Sequence, residues 1–197
     1  MFNLDVQLFY FINGFAGENQ ILDLVFSFFA TALIYILLAG FLLLVFLGTK
    51  YSSLWDKFFE KLKNRLGLGS IKINTYMLAV GIISSVISYT LSQIIAYIYF
   101  RPRPFVSLDN AVKLISKSNL DKSFPSDHTI LAFAIAFSVF YFHRRWGIVF
   151  IIGALLVAIS RIYVGVHYPL DIAAGILLSF FVSMTVYKFL RKYHTFL

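Results

Sequence analysis

Three short stretches hold most of the side chains able to do chemistry: Arg101-Pro102-Arg103-Pro104, Phe124-Pro125-Ser126-Asp127-His128, and Ser160-Arg161 followed by His167 and Asp171. Arginine is a permanent cation whose planar fork matches the oxygens of a phosphate. Ser126 is a preferred N-cap, and an apolar helix follows it at once. The start of that helix offers free N–H groups and the positive end of a dipole to an anion. Asp127 sits on the same anion site, and His128 stands beside it as a proton donor. His167 comes just before Pro169, and Asp171 lies about two residues inside the helix that Pro169 opens, where it can reach back as in a capping box. A carboxylate on one imidazole nitrogen fixes the tautomer and leaves the other nitrogen free to act. Guanidinium groups and a helix N-terminus to bind phosphoryl oxygens, one histidine to attack phosphorus and a second to protonate the leaving oxygen are what cleavage of an anionic phosphate ester needs. No set of carboxylates or histidines has metal-ligand spacing, and Asp127 alone is too little for magnesium. With no cysteine in the chain, thiol catalysis and zinc–thiolate sites are excluded.

The elements that must hold these residues are membrane spans. Of the 197 residues, 60% are hydrophobic and only 13% are charged. The mean hydropathy is +0.83. A soluble domain is nearer half apolar and a quarter charged, so a soluble enzyme, a fibrous protein and a disordered chain are all excluded. Runs at 24–47, 73–100, 129–142, 147–165 and 169–187 predict five spans. Hydrophobic runs without extended alternation favour helices over a barrel. Leu4, Leu8, Phe11 and Ile12 recur at helical spacing with Asn3, Asp5 and Gln7 between them, which predicts a short amphipathic helix lying at the interface. Trp55, Phe58, Phe59 and Leu62 suggest a second surface helix within the polar 48–72 loop. The expected fold is therefore all-α: a polytopic integral membrane helix bundle of about five spans plus short interfacial helices, forming one domain over 1–197.

Charge sets the orientation. Five spans put the 48–72 loop, the 143–146 turn and the C-terminal tail on one side with eleven basic residues, against six on the other. The positive-inside rule places the first group in the cytoplasm, so the 101–127 loop and the 161–169 turn face outward. All three polar clusters lie at outward ends of spans. The net charge of +8 then reads as basic loops against anionic lipid rather than as nucleic-acid binding. The run 128–142 is roughly 22 Å of helix at about 1.5 Å per residue, short for a hydrocarbon core of about 30 Å. The site is expected to lie in a polar recess at headgroup depth.

Arg103-Pro104, Pro125-Ser126-Asp127-His128 and Ser160-Arg161-x5-His167-x3-Asp171, in this order, resemble the three-part signature of the membrane type-2 phosphatidate phosphatase superfamily. The resemblance covers a core from about 73 to 190. It implies that His167 is a nucleophile forming a phosphohistidine, that Asp171 orients it and that His128 is the general acid. It also implies that Arg103, Arg161 and Ser126 bind phosphate, with no metal or other cofactor. The family's first motif often begins with Lys seven residues before the Arg, where this chain has Ala96. Arg101 is the candidate replacement: residues i and i+2 share a face in extended β geometry, whereas in polyproline geometry the two arginines would not point together. Many members carry Gly where this chain has Asp127. With the run from Ser160 to Pro169, the three motifs look like those of the bacitracin-resistance-type undecaprenyl-diphosphate phosphatases. That likeness implies a lipid diphosphate substrate hydrolysed at the outer face of a bacterial cytoplasmic membrane, which recycles the cell-wall carrier lipid. The same chemistry would serve phosphatidylglycerol phosphate, phosphatidate or lipid A 1-phosphate. A lipid transporter without hydrolysis would instead want polar residues near the midplane, and the uncharged spans offer mostly Ser, Thr and Tyr.

Overall fold

The computed structural model describes residues 3–48, 65, 75–119 and 121–194, and among these every regular element is a helix. In chain order these are α1 (Asn3–Asn13), α2 (Gln20–Thr31), α3 (Leu33–Gly48), α4 (Thr75–Ile98), α5 (Pro104–Ser107), α6 (Asp127–Phe142), α7 (Arg144–Tyr163) and α8 (Pro169–His194). The helix expected around Trp55 to Leu62 lies outside the described residues.

Helices α4, α7 and α8 are long and apolar enough to cross a bilayer. The run expected as one span over 24–47 is broken: α2 and α3 meet at a 48° bend, and together they can make a fourth crossing. Asn19 starts α2 four residues ahead of that run, its Oδ1 accepting from the backbone N–H groups of Ile21 and Leu22 at 2.9 and 3.2 Å. The third expected span, over 129–142, is α6, which is apolar but only 16 residues long. It is the centre of the bundle, packed against α3, α4, α7 and α8. Its burial is therefore by protein, and its length need not match the bilayer.

A single residue separates α6 from α7. The His143 N–H bonds the Val139 carbonyl at 2.7 Å, closing α6. Its Nδ1 accepts from the Trp146 N–H at 3.3 Å, opening α7. So tight a hairpin presses the backbones together, and a Cβ on Gly147 would stand 2.3 Å from the Phe140 Cα.

On α4 a column of Ser84, Ser88 and Ser92, four residues apart, is fully buried, and Ser92 Oγ donates to Asp127 at the start of α6. Small residues let membrane helices approach closely where lipid supplies no hydrophobic drive between them. Large side chains face outward instead, among them Ile82, Val86, Ile148, Ile152, Leu177 and Phe181. This is the inside-out distribution of a chain solvated by lipid.

The amphipathic α1 presents apolar side chains outward and buries Phe9 and two polar side chains against the bundle. Leu4 and Phe11 are exposed, at 65% and 71%, whereas Asp5 and Asn13 are buried, at 3% and 1%. Both polar residues hold the functional end of the bundle. Asn13 Nδ2 donates to the carbonyls of Val112 and Tyr163, each at 2.8 Å, and its Oδ1 accepts from the Val112 N–H. The 108–126 loop is thereby tied to the turn after α7. That turn needs Gly165: its φ is +82°, and a Cβ there would lie 2.1 Å from the Val112 carbonyl oxygen.

Candidate active site

His167 leaves the turn after α7 with its ring buried, at 2% exposed. Its Nδ1 lies 2.8 Å from the Ser123 carbonyl oxygen, a partner that only accepts, so Nδ1 carries the proton and donates it. The other nitrogen, Nε2, then holds a lone pair and faces a cavity of about 710 Å³ that His128 also lines. Burial, with the Arg161 and Arg103 guanidiniums nearby, pushes His167 down to about 4 against the upward pull of Asp171. The imidazole is neutral at physiological pH.

Asp171 orients this ring less directly than spacing suggests. Its Oδ2 is 3.6 Å from His167 Nδ1, beyond hydrogen-bond reach. The same oxygen accepts from Ser123 Oγ at 2.5 Å and from the Tyr168 N–H at 2.8 Å. The second contact is one arm of a capping box on α8. Asp171 thus holds Ser123, and the Ser123 carbonyl holds the histidine. Ser123 stands one residue before the second stretch, and nothing in its spacing marks it as the link.

Arg101 and Arg103 do not point together. Arg103 lines the cavity, its Nη1 donating to the Val166 carbonyl at 3.0 Å and standing 3.5 Å from His167 Nε2. Arg101 turns away to Asp171 Oδ1 at 2.7 Å and Asp5 Oδ2 at 2.5 Å, with its guanidinium over the Tyr168 ring. The expectation that Arg101 stands in for the lysine absent at Ala96 is corrected: both its ends are committed to carboxylates. Asp5 also accepts from the Leu170 N–H at 2.9 Å, so α1 clamps the start of α8.

Arg161 is 1% exposed beside the cavity. Its Nη1 donates to the Ala30 carbonyl at 2.8 Å, one of the carbonyls that the break between α2 and α3 leaves without a helical partner. Arg161 Nε and Nη2, and Arg103 Nε, are buried with no acceptor among the described protein atoms. Buried cationic donors without acceptors are costly unless an anion completes them.

Ser126 occupies the N-cap position of α6 but makes no side-chain cap. Its Oγ accepts from Thr129 Oγ1 at 3.1 Å, and its N–H bonds the Asp171 carbonyl at 3.2 Å. Asp127 lines the cavity with its carboxylate already engaged by Lys122 at 2.7 Å, Ser92 at 2.6 Å and Gln93 at 3.3 Å. A phosphate would meet the Lys122 charge already neutralised there, so Asp127 holds a wall of the cavity and is not itself a phosphate ligand. Among the described residues no three His, Cys, Asp or Glu side chains gather as metal ligands.

The cavity has two characters. Its lining combines Arg103, Lys117, Asp121, Lys122, Asp127, His128 and His167 with Ile34, Tyr35, Leu38, Leu131 and Ile135. Tyr35 and Leu38 are exposed on the lipid-facing surface, at 69% and 42%. A charged headgroup site therefore opens along an apolar wall towards lipid.

Residues 72–194 match the PAP2 superfamily, a family of phosphatases. The chain belongs to this family. It is 37% identical over 184 residues to the bacitracin transport permease protein BcrC of Bacillus licheniformis, covering 93% of this chain and 79% of that protein. It is 30% identical over 186 residues to the undecaprenyl-diphosphatase BcrC of Bacillus subtilis, covering 94% and 84%. The crystal structure of Aquifex aeolicus LpxE shares the fold, with a TM-score of 0.66 at 24% identity over 95% of this chain and 96% of that one. The chain is an all-helical, multi-pass membrane protein of this phosphatase family.

Proposed function

We propose that this PAP2 protein hydrolyses a polyprenyl diphosphate, undecaprenyl diphosphate foremost, to the monophosphate and inorganic phosphate. The observation that carries the reading is one cavity in which His167 Nε2, His128 and Arg103 share space with an apolar wall open to lipid. The names of the two BcrC relatives support the substrate class.

His167 Nε2 attacks the terminal phosphorus while Nδ1–H stays on the Ser123 carbonyl. The bond from that phosphorus to the bridging oxygen breaks, and the prenyl monophosphate leaves with the proton of His128. A water then gives its proton to His128 and attacks the phosphohistidine, which releases inorganic phosphate and restores both rings. The unpaired donors of Arg103 and Arg161 balance the charge that builds on the phosphoryl oxygens. Positive-inside counting puts the site on the outer face of a bacterial cytoplasmic membrane, where the product is a recycled cell-wall carrier lipid and bacitracin resistance follows.

Purified protein in detergent, given prenyl diphosphates and phospholipid monophosphates side by side, tests the reading. We expect phosphate release fastest from the prenyl diphosphates, and little from small water-soluble esters, which have no tail for the apolar wall. Preference for phosphatidylglycerol phosphate or phosphatidate would move the enzyme to another lipid, and no phosphate release from any of them would leave a transporter.

A further inference from the structure

Arg103, Lys117 and Lys122 line the cavity and Arg161 is buried in the same bundle, and the commitments of these four cations differ. Arg103 and Arg161 each spend one nitrogen on a backbone carbonyl and keep buried donors without acceptors. Lys122 is fully engaged, with Asp127 Oδ1 at 2.7 Å, Ser92 Oγ at 2.5 Å and the Pro125 carbonyl at 3.2 Å. Lys117 is different. It lines the cavity from the 108–126 loop, half-buried, and no carboxylate forms an ion pair with it among the described residues. Burial pushes it below the ordinary lysine value, as do the Arg161 and Arg103 guanidiniums, with Asp121 and Asp127 opposing them more weakly. Its carbonyl accepts from Lys113 Nζ at 2.7 Å.

A half-buried ammonium held towards two guanidiniums is unfavourable in the empty cavity. The arrangement becomes favourable once a multiply charged anion sits among the three. Arg101, the residue whose sequence position suggested a third cation, is bound to Asp5 and Asp171 and contributes nothing to that count.

We propose that Lys117 is a phosphate-binding residue of this site, the third cation that meets the substrate's phosphate together with Arg103 and Arg161. The inference deepens the reading above and rests on the cavity being a phosphate site. Lysine acts there as a point charge on a flexible stem, so it can follow the phosphate from bound substrate to released product. The 108–126 loop becomes part of the binding machinery and not merely a roof over it.

The test uses the full-length protein in detergent with K117M, K117R and, as a control at the far end of α7, R145M. Two quantities are read: the affinity for inorganic phosphate by calorimetry, and KM and kcat for farnesyl diphosphate. We expect K117M to weaken phosphate binding and raise KM at least tenfold, K117R to restore most of both, and R145M to match wild type. K117Q, a polar replacement, should behave as K117M if that variant melts early. Unchanged phosphate affinity in folded K117M or K117Q overturns the inference. A wild type that binds inorganic phosphate through Lys117 but leaves farnesyl diphosphate intact would overturn the substrate reading and leave Lys117 standing.

Discussion

At the scale of single residues, His167 is set by what its two nitrogens face. One proton is fixed on the Ser123 carbonyl, and burial beside two guanidiniums holds the ring neutral. A histidine whose value is lowered stays unprotonated until the pH falls near that value, so the attacking lone pair survives well below pH 6.5. With histidine-labelled protein, the imidazole signal missing from His167→Ala should titrate near pH 4. Titration between 6 and 7 would mean that the ring is solvated and the buried geometry wrong. The types and spacing of Arg103, His128, Arg161, His167 and Asp171 made these residues legible in the sequence, because each is costly in a membrane and has few reasons to be there. The contacts of Ser123 and Arg101 were not legible. A backbone carbonyl acts as a partner whatever side chain it carries. A guanidinium two residues from another points by local geometry that a Pro-rich stretch leaves open.

Among the elements, α1 is the one whose partners the sequence left hidden. Its helical period was plain, but a period tells which residues share a face and not what that face meets. Leu4 and Phe11 meet the surroundings, and Asp5 meets Arg101. The partner lies 96 residues away, and no local pattern carries that information. The chain of contacts from Asp5 through Arg101 to Asp171 links α1 to the start of α8, beside His167, the proposed nucleophile. Removing one partner of a buried ion pair leaves the other uncompensated, at about 3–5 kcal/mol when the charge is lost outright. Asp5→Asn keeps one acceptor and should cost less. We expect it to lower the melting temperature and kcat, the latter about tenfold, or about 1.4 kcal/mol, while KM and phosphate affinity stay unchanged. A shift in KM alone would assign Asp5 and Arg101 to substrate binding. The break between α2 and α3 was equally hidden, since Thr31 and Ala32 interrupt no apolar run, yet it exposes the carbonyl that holds Arg161.

For the molecule as a whole, hydropathy gave a membrane bundle and roughly where its helices run. It overstated α6 as a span of ordinary kind, because an apolar run reads the same whether protein or lipid surrounds it. With α6 at the centre, the three clusters converge at one end of the bundle and the apolar wall leads from them towards lipid. The chain has no cysteine, so single cysteines report topology cleanly. An impermeant maleimide should label Asp109→Cys on intact cells and Arg145→Cys only after permeabilisation; the reverse pattern would put the site in the cytoplasm. The account's central claim is covalent attack by His167, and rapid acid-free quenching of the enzyme with prenyl diphosphate labelled on its terminal phosphate tests it most directly. Wild type should carry an acid-labile label at a histidine, while folded His167→Ala carries none and releases no phosphate. A label of equal yield on the His167→Ala protein, or turnover above a few per cent of wild type, would contradict it.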